Sequence, residues 1–154
     1  MDLSYKRILV PLDGSSLAEV ALSHPVVLAR LCDAELTLLM VVPPIADVVE
    51  TALERISIDQ QWEMRRSEAA KYLASIRERS EFVGLRTHIE VMMGPVAEMI
   101  LNYAEARAID LIVMTTHGRS GIRRWVWGSI TENLLRAPQT TVMLVRSSVS
   151  PAAY

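Results

Sequence analysis

The order of apolar runs and amphipathic stretches predicts an α/β sandwich around a mostly parallel sheet. Three observations lead there. Short apolar runs, Ile8-Leu9-Val10, Leu38-Leu39-Met40-Val41-Val42 and Leu111-Ile112-Val113-Met114, are of the kind buried on both faces of a sheet. Segments with helical spacing lie between them, so strand and helix alternate β-α-β-α-β-α-β-α-β, which calls for right-handed crossovers. Two of the runs end in unusual turns, Pro11-Leu12-Asp13-Gly14 and Met114-Thr115-Thr116-His117-Gly118. In such sheets ligands sit outside the carboxyl ends of the strands, where the strand order reverses. If these two strands are neighbours at the reversal, Asp13 and the glycine segment face one crevice.

Residues 7–12 form the first strand, ended by Asp13-Gly14-Ser15. Ser16 and Glu19 fit a capping box, and Leu17, Val20, Ala21, His24, Val27, Leu28 and Leu31 then keep helical spacing. Pro25 removes the hydrogen bond to Ala21 and should kink this helix. His24 falls on the apolar stripe and is expected to be buried and hydrogen-bonded. Residues 35–42 read as a second strand, stopped by Pro43-Pro44. For residues 45–57 the pattern fits either a short helix leading into the next one or an irregular flap. Residues 59–82 are a helix with Ala69, Leu73 and Ile76 inward among charges, and Gly84 ends it.

Residues 85–92 alternate apolar and polar, as an edge strand with one wet face does. Gly94-Pro95 opens a third helix, with Val96, Met99, Ile100, Tyr103 and Ala104 on one side. A strand over 110–114 follows, then the glycine segment, a helix from Ser129 to about Arg136, a break at Ala137-Pro138, and a last strand over 141–145. That strand sets Thr141, Met143 and Val145 against Val142 and Leu144, and an exposed edge there would pair with a second copy.

The chain of 154 residues, 51% of them apolar, suits one well-buried core and is short for two ordinary domains, so one domain over 1–154 is expected, with 147–154 a frayed tail. A formal charge of −2 with mixed acids and bases leaves no electrostatic footprint for nucleic acid or an anionic membrane. Cys32 is the only cysteine, which rules out an internal disulfide and a cysteine-built metal site and suits packing in a helix. The first residues lack the apolar core and cleavage site of a signal peptide, and no apolar run approaches a membrane span. A cytoplasmic protein is the expectation.

The stretch from Leu111 to Glu132 outlines an anion site. A buried strand breaks into glycines and hydroxyls, and Ser129 with Glu132 fits a second capping box, so a helix starts at Ser129. Free backbone N–H groups and a positive helix terminus then face one spot. Gly118, Gly121 and Gly128 can take positive φ or admit a ligand close to the backbone; the plainer alternative is that they only shape a long turn.

These residues resemble the universal stress protein family over almost the whole chain: Ile8-Leu9-Val10-Pro11-Leu12-Asp13-Gly14-Ser15, Met40-Val41, Gly94-Pro95, Asp110 to Met114, and Gly128-Ser129-Ile130-Thr131-Glu132. Nucleotide-binding members carry G-x2-G-x9-G-[S/T]. Here Gly118 and Gly128-Ser129 stand at that spacing, with Thr115 in place of the first glycine. The resemblance implies a three-layer sandwich with a five-stranded parallel sheet in the order 3-2-1-4-5, and a homodimer through the last strand. It implies that Asp13 and Val41 line an adenine and ribose pocket with Pro11 and Met114 around it. Thr115, Gly118, Gly128, Ser129, Ile130 and Thr131 would hold phosphates. The implied ligand is ATP, alone or with Mg or Mn, with AMP or ADP as alternatives, and the implied role is a stress-response sensor or regulator. A β-branched residue at 115 disfavours positive φ, so Thr115 is expected to stay extended if the site is kept, where its hydroxyl can donate to a ligand.

Arg119, Arg123 and Arg124 suit outer phosphates, Arg119 foremost, against the alternative of a solvated loop. Trp125 and Trp127 read as anchors of that loop to the body or a partner, and His117, with no identifiable carboxylate partner, as structural. The H-x-G-H motif, the pyrophosphatase loop, the G-x-x-x-x-G-K-[S/T] loop and the G-x-G-x-x-G fingerprint are each unsatisfied. No residue set marks a dedicated catalytic centre. The competing functions are slow ATP hydrolysis and a nucleotide-free dimer working through protein contacts.

Overall fold

A computed structural model describes residues 4–44, 52–115 and 140–146. Five strands, β1 (Arg7–Leu12), β2 (Glu35–Val42), β3 (Thr87–Met93), β4 (Leu111–Thr115) and β5 (Thr141–Val145), form one sheet in the order β3-β2-β1-β4-β5. Every pairing is parallel. This is the expected order, with β3 at one edge as its alternating sequence indicates and β5 at the other.

Both faces of the sheet are covered, which is why the strands read as unbroken apolar runs. Ile8, Val10, Leu36, Leu38, Leu111 and Val113 point to one face. There they meet α1 (Ser16–Glu19), α2 (Ser23–Cys32), the short turn between them and the second half of α3 (Ala52–Arg77), through Ala18, Ala29, Ala21, Leu73 and Ile76. Leu9, Leu39, Ile112 and Met114 point the other way, onto Ala97, Ile100 and Ala104 of α4 (Val96–Ala106). Asp110 stitches the lower edge: its carboxylate accepts from the backbone of Lys6 at 2.7 Å and Arg7 at 3.2 Å, and its carbonyl accepts from Thr141 N–H at 2.9 Å.

The first helical stretch departs from its sequence reading in three ways. Its N-cap is Ser15, not Ser16: the Ser15 Oγ accepts from Ala18 N–H at 3.1 Å, and Glu19 turns its carboxylate elsewhere. The expected kink is a 3-10 turn over Val20–Leu22 between α1 and α2, placed where the missing Pro25 N–H leaves the Ala21 carbonyl without its α-helical partner. The buried stripe is also rotated. It runs through Ala18, Ala21, Leu22, Pro25, Val26 and Ala29, while Val27 and Leu31 are 54% and 77% exposed. His24, expected inside, is exposed, with Ser23 Oγ at 3.3 Å from its Nδ1. Small residues let this helix lie close on the sheet, so the alanines face in and larger neighbours are left outside.

Cys32 is half-buried at the end of α2 and packs against the core. Pro95 is the N-cap of α4 instead of its first helical residue, and α4 buries Ile100 and Ala104 as expected, together with Ala97. The 45–51 segment, the glycine segment with the helix expected from Ser129, and the tail lie outside the described residues. Among the described residues no helix is long and apolar enough to cross a membrane.

Candidate functional site

The turn after β1 is built by Asp13. Its Oδ1 accepts from the Ser15 backbone N–H at 2.9 Å and from the Ser15 hydroxyl at 2.5 Å. This Asx turn leads the chain through Gly14 at φ +82° into the N-cap geometry of Ser15. Asp13 is thus fixed by its own turn at the carboxyl end of a central strand.

β1 and β4 are neighbours at the point where the strand order reverses. Their register covers Ile8↔Leu111 and Leu9↔Ile112, although both strands run on, through Leu12 and Thr115 respectively. By contrast β1 pairs with β2 along its whole length and β4 with β5 along its whole length. The sheet therefore splits between β1 and β4 at their carboxyl ends, beside Pro11, which brings no N–H to a ladder.

A cleft of about 580 Å³ opens there. Pro11, Asp13, Val41, Met114 and Thr115, all singled out in the sequence, line it together. Gly118, Arg119, Gly128, Ser129, Ile130 and Thr131 lie outside the described residues, as do Arg123, Arg124, His117, Trp125 and Trp127. Thr115 closes β4 in register with Val145, and the positive-φ non-glycine residues of the described chain are Asp33 and Ala108. Threonine thus stands at position 115 in extended backbone and 3% exposed.

The far wall was not read from the sequence. Arg65, Glu68, Ala69 and Tyr72 of α3 line the cleft, as do Met40 of β2 and Val96 and Ile100 of α4. Arg65 donates to the Pro43 carbonyl at 3.2 Å, tying α3 to the exit of β2. Tyr72 donates its hydroxyl to Glu19 Oε1 at 2.9 Å, and Arg79 reaches Glu19 Oε2 at 2.7 Å. Burial, and after it the hydrogen bond to Glu19, pushes the Tyr72 phenol well above its ordinary range, so it stays a protonated donor. Glu19 thereby links the helix that follows the Asp13 turn to the helix that forms the opposite wall. In the sequence, Arg65, Glu68 and Tyr72 beside Ala69 have the spacing of an ordinary solvated flank next to a buried stripe, which does not mark them as cleft residues.

Chemically the cleft is an apolar chamber with few polar groups, of which Asp13 stands at the strand tips. Among the described residues no group of three or more His, Cys, Asp or Glu comes together as a metal site. The arrangement suits recognition of a ring system with hydroxyl or amino donors at its edge.

Comparison with known proteins gives concordant results. A model of the universal stress protein family matches residues 4–146. Universal stress protein MJ0531 of Methanocaldococcus jannaschii is 32% identical over 145 residues, covering 92% of this chain and 82% of that protein. The solved structure of MJ0577 from the same organism superposes with a TM-score of 0.75 at 28% identity, covering 96% of this chain and 100% of that one. A universal stress protein solved in complex with cAMP shares the fold, with a TM-score of 0.66 at 20% identity over 94% of this chain and 99% of that one.

Proposed function

The chain belongs to the universal stress protein family, and from that premise we propose that it binds an adenine nucleotide, ATP foremost, in the cleft at the carboxyl ends of β1 and β4. One observation carries the reading: Asp13 and Thr115, at the ends of the two strands flanking the reversal, line the same cleft. Its volume falls within the usual range for small-molecule sites. In this reading Pro11, Val41 and Met114 pack around base and ribose. Asp13 accepts from a ribose hydroxyl or the exocyclic amine, since a carboxylate has acceptor capacity beyond the bonds that hold its own turn. Thr115 stands where the phosphates begin, and Gly118, Arg119, Gly128, Ser129, Ile130 and Thr131 take them further, the capping-box sequence at Ser129 being the kind that opens a helix with free amides. AMP and ADP fit the same chamber with fewer phosphate contacts. A Mg or Mn ion would accompany ATP as a counter-charge to its phosphates. The cAMP complex supports the reading to the extent that the fold admits an adenine nucleotide.

The role proposed is that of a dimeric cytoplasmic sensor or regulator, whose ligand changes what the dimer presents. The dimer forms through β5, an edge strand with Thr141 exposed and Leu144 40% exposed.

Purified protein is denatured and the released small molecules are weighed by mass spectrometry, with and without prior incubation with ATP. An adenine nucleotide in stoichiometric amount is expected, and Gly128→Val is expected to lose it while remaining folded. Absence of any nucleotide after incubation, or unchanged retention in Gly128→Val, contradicts the assignment.

A further inference from the structure

We propose that Met40 is an oxidation site through which hydrogen peroxide, or another two-electron oxidant, shuts the cleft to its ligand; the proposal rests on the cleft being the nucleotide site. Met40 is half-buried near the end of β2, packs against the core and lines the cleft. Its terminal methyl lies 3.6 Å from where a Cβ on Gly14 would stand, so the thioether bridges the tip of β2 to the turn that holds Asp13. Met114, the other methionine of the lining, is 5% exposed and shielded. Met64 and Met93 are 57% and 47% exposed but lie outside the lining. Among the described methionines, Met40 is thus the one that is both part-exposed and placed against the ligand volume.

In the reaction a lone pair on Met40 Sδ attacks one peroxide oxygen. The S–O bond forms as the O–O bond breaks, and the hydrogen of the transferred oxygen passes to the departing hydroxide, which leaves as water. Sulfur loses two electrons and the peroxide gains them. The flexible apolar thioether becomes a polar sulfoxide. On its core side Met40 meets apolar packing, where an acceptor without a donor is costly. The sulfoxide oxygen therefore turns to the hydrated side of the cleft, into volume the ligand needs, and draws the methyl away from the Gly14 turn. Methionine sulfoxide reductases reverse the change.

The test treats full-length protein with graded hydrogen peroxide, maps sulfoxide at each methionine by peptide mass spectrometry, and titrates ATP before and after. Met40 is expected to be oxidised, more slowly with ATP bound. Affinity is expected to fall about tenfold, as one uncompensated polar group in the site would produce. Reductase treatment should restore it. Met40→Leu, whatever its starting affinity, should change by less than about twofold on oxidation, because Leu has no sulfur to oxidise. Amide exchange in the Asp13–Ser15 turn should rise on oxidation in the parent protein and stay unchanged in Met40→Leu. The proposal is overturned if Met40 stays reduced while Met64 and Met93 are fully oxidised, or if Met40→Leu loses affinity or protection as the parent does. Failure of the untreated protein to bind ATP defeats the nucleotide reading instead, and the exchange data then judge the oxidation site on their own.

Discussion

At Gly14 the backbone sits at φ +82°, and among the described residues an added Cβ would meet only the Met40 methyl, at an ordinary 3.6 Å. The cost of a side chain there is therefore in the backbone and not in a clash. Gly14→Ala should lose about 1–2 kcal/mol of stability, the penalty of a left-handed L-residue. Urea denaturation measures it, and an unchanged midpoint would show that the turn relaxes without glycine. Gly94 is the contrasting case, with φ +148° and a Cβ that would lie 2.8 Å from Met99 Cγ. Asp13 was legible in the sequence because an acid followed by Gly-Ser after an apolar run is a turn with a mechanism. His24 was not: helical spacing alone cannot distinguish the stripe through Leu17, Val20 and His24 from the one through Ala18, Ala21 and Pro25. Close approach to the sheet decides between them.

Among the elements, Glu19 of α1 is coupled to Tyr72 of α3 and to Arg79 just beyond its end. The raised Tyr72 phenol makes this coupling pH-dependent. The folded protein holds the proton more tightly than the unfolded chain, so the contribution is complete below about pH 10, where an unperturbed tyrosine titrates. It is lost as the pH rises from there toward the folded value. Tyr72→Phe should therefore flatten part of the decline in Tm above about pH 10 while lowering Tm at neutral pH. Parallel alkaline slopes in parent and variant would contradict the coupling. Nothing in the sequence signalled the pairing, because Glu19 and Tyr72 are brought together only when α1 and α3 share one face of the sheet. The same holds for Arg65 and Glu68, whose spacing on α3 also fits an ordinary solvated face. The Ser16-Glu19 capping box was read one residue late, since Asp13 reorients the turn and makes Ser15 the cap.

For the molecule as a whole, sheet class and the position of β3 follow from burial: two-sided runs for the central strands, alternation for the edge. The strand order 3-2-1-4-5 was implied by family resemblance. The splitting of β1 from β4 beyond Leu9 and Ile112 was not foreseeable, because register and splay are set by packing across the sheet. Among the described residues β5 is an edge strand of the sheet, the basis of the proposed dimer. Sedimentation at micromolar concentration should give a dimer, and Met143→Pro, which removes an N–H and bends the strand, should give a monomer. A parent protein that sediments as a monomer would remove the dimer from the account.

Photolabelling with 8-azido-ATP tests the central claim most directly, with the labelled peptides mapped by mass spectrometry and unlabelled ATP as competitor. Label is predicted on peptides carrying Pro11 to Asp13, Val41 or Met114-Thr115, suppressed by excess ATP. Label confined to other surfaces, or label at the cleft that ATP fails to displace, would contradict it.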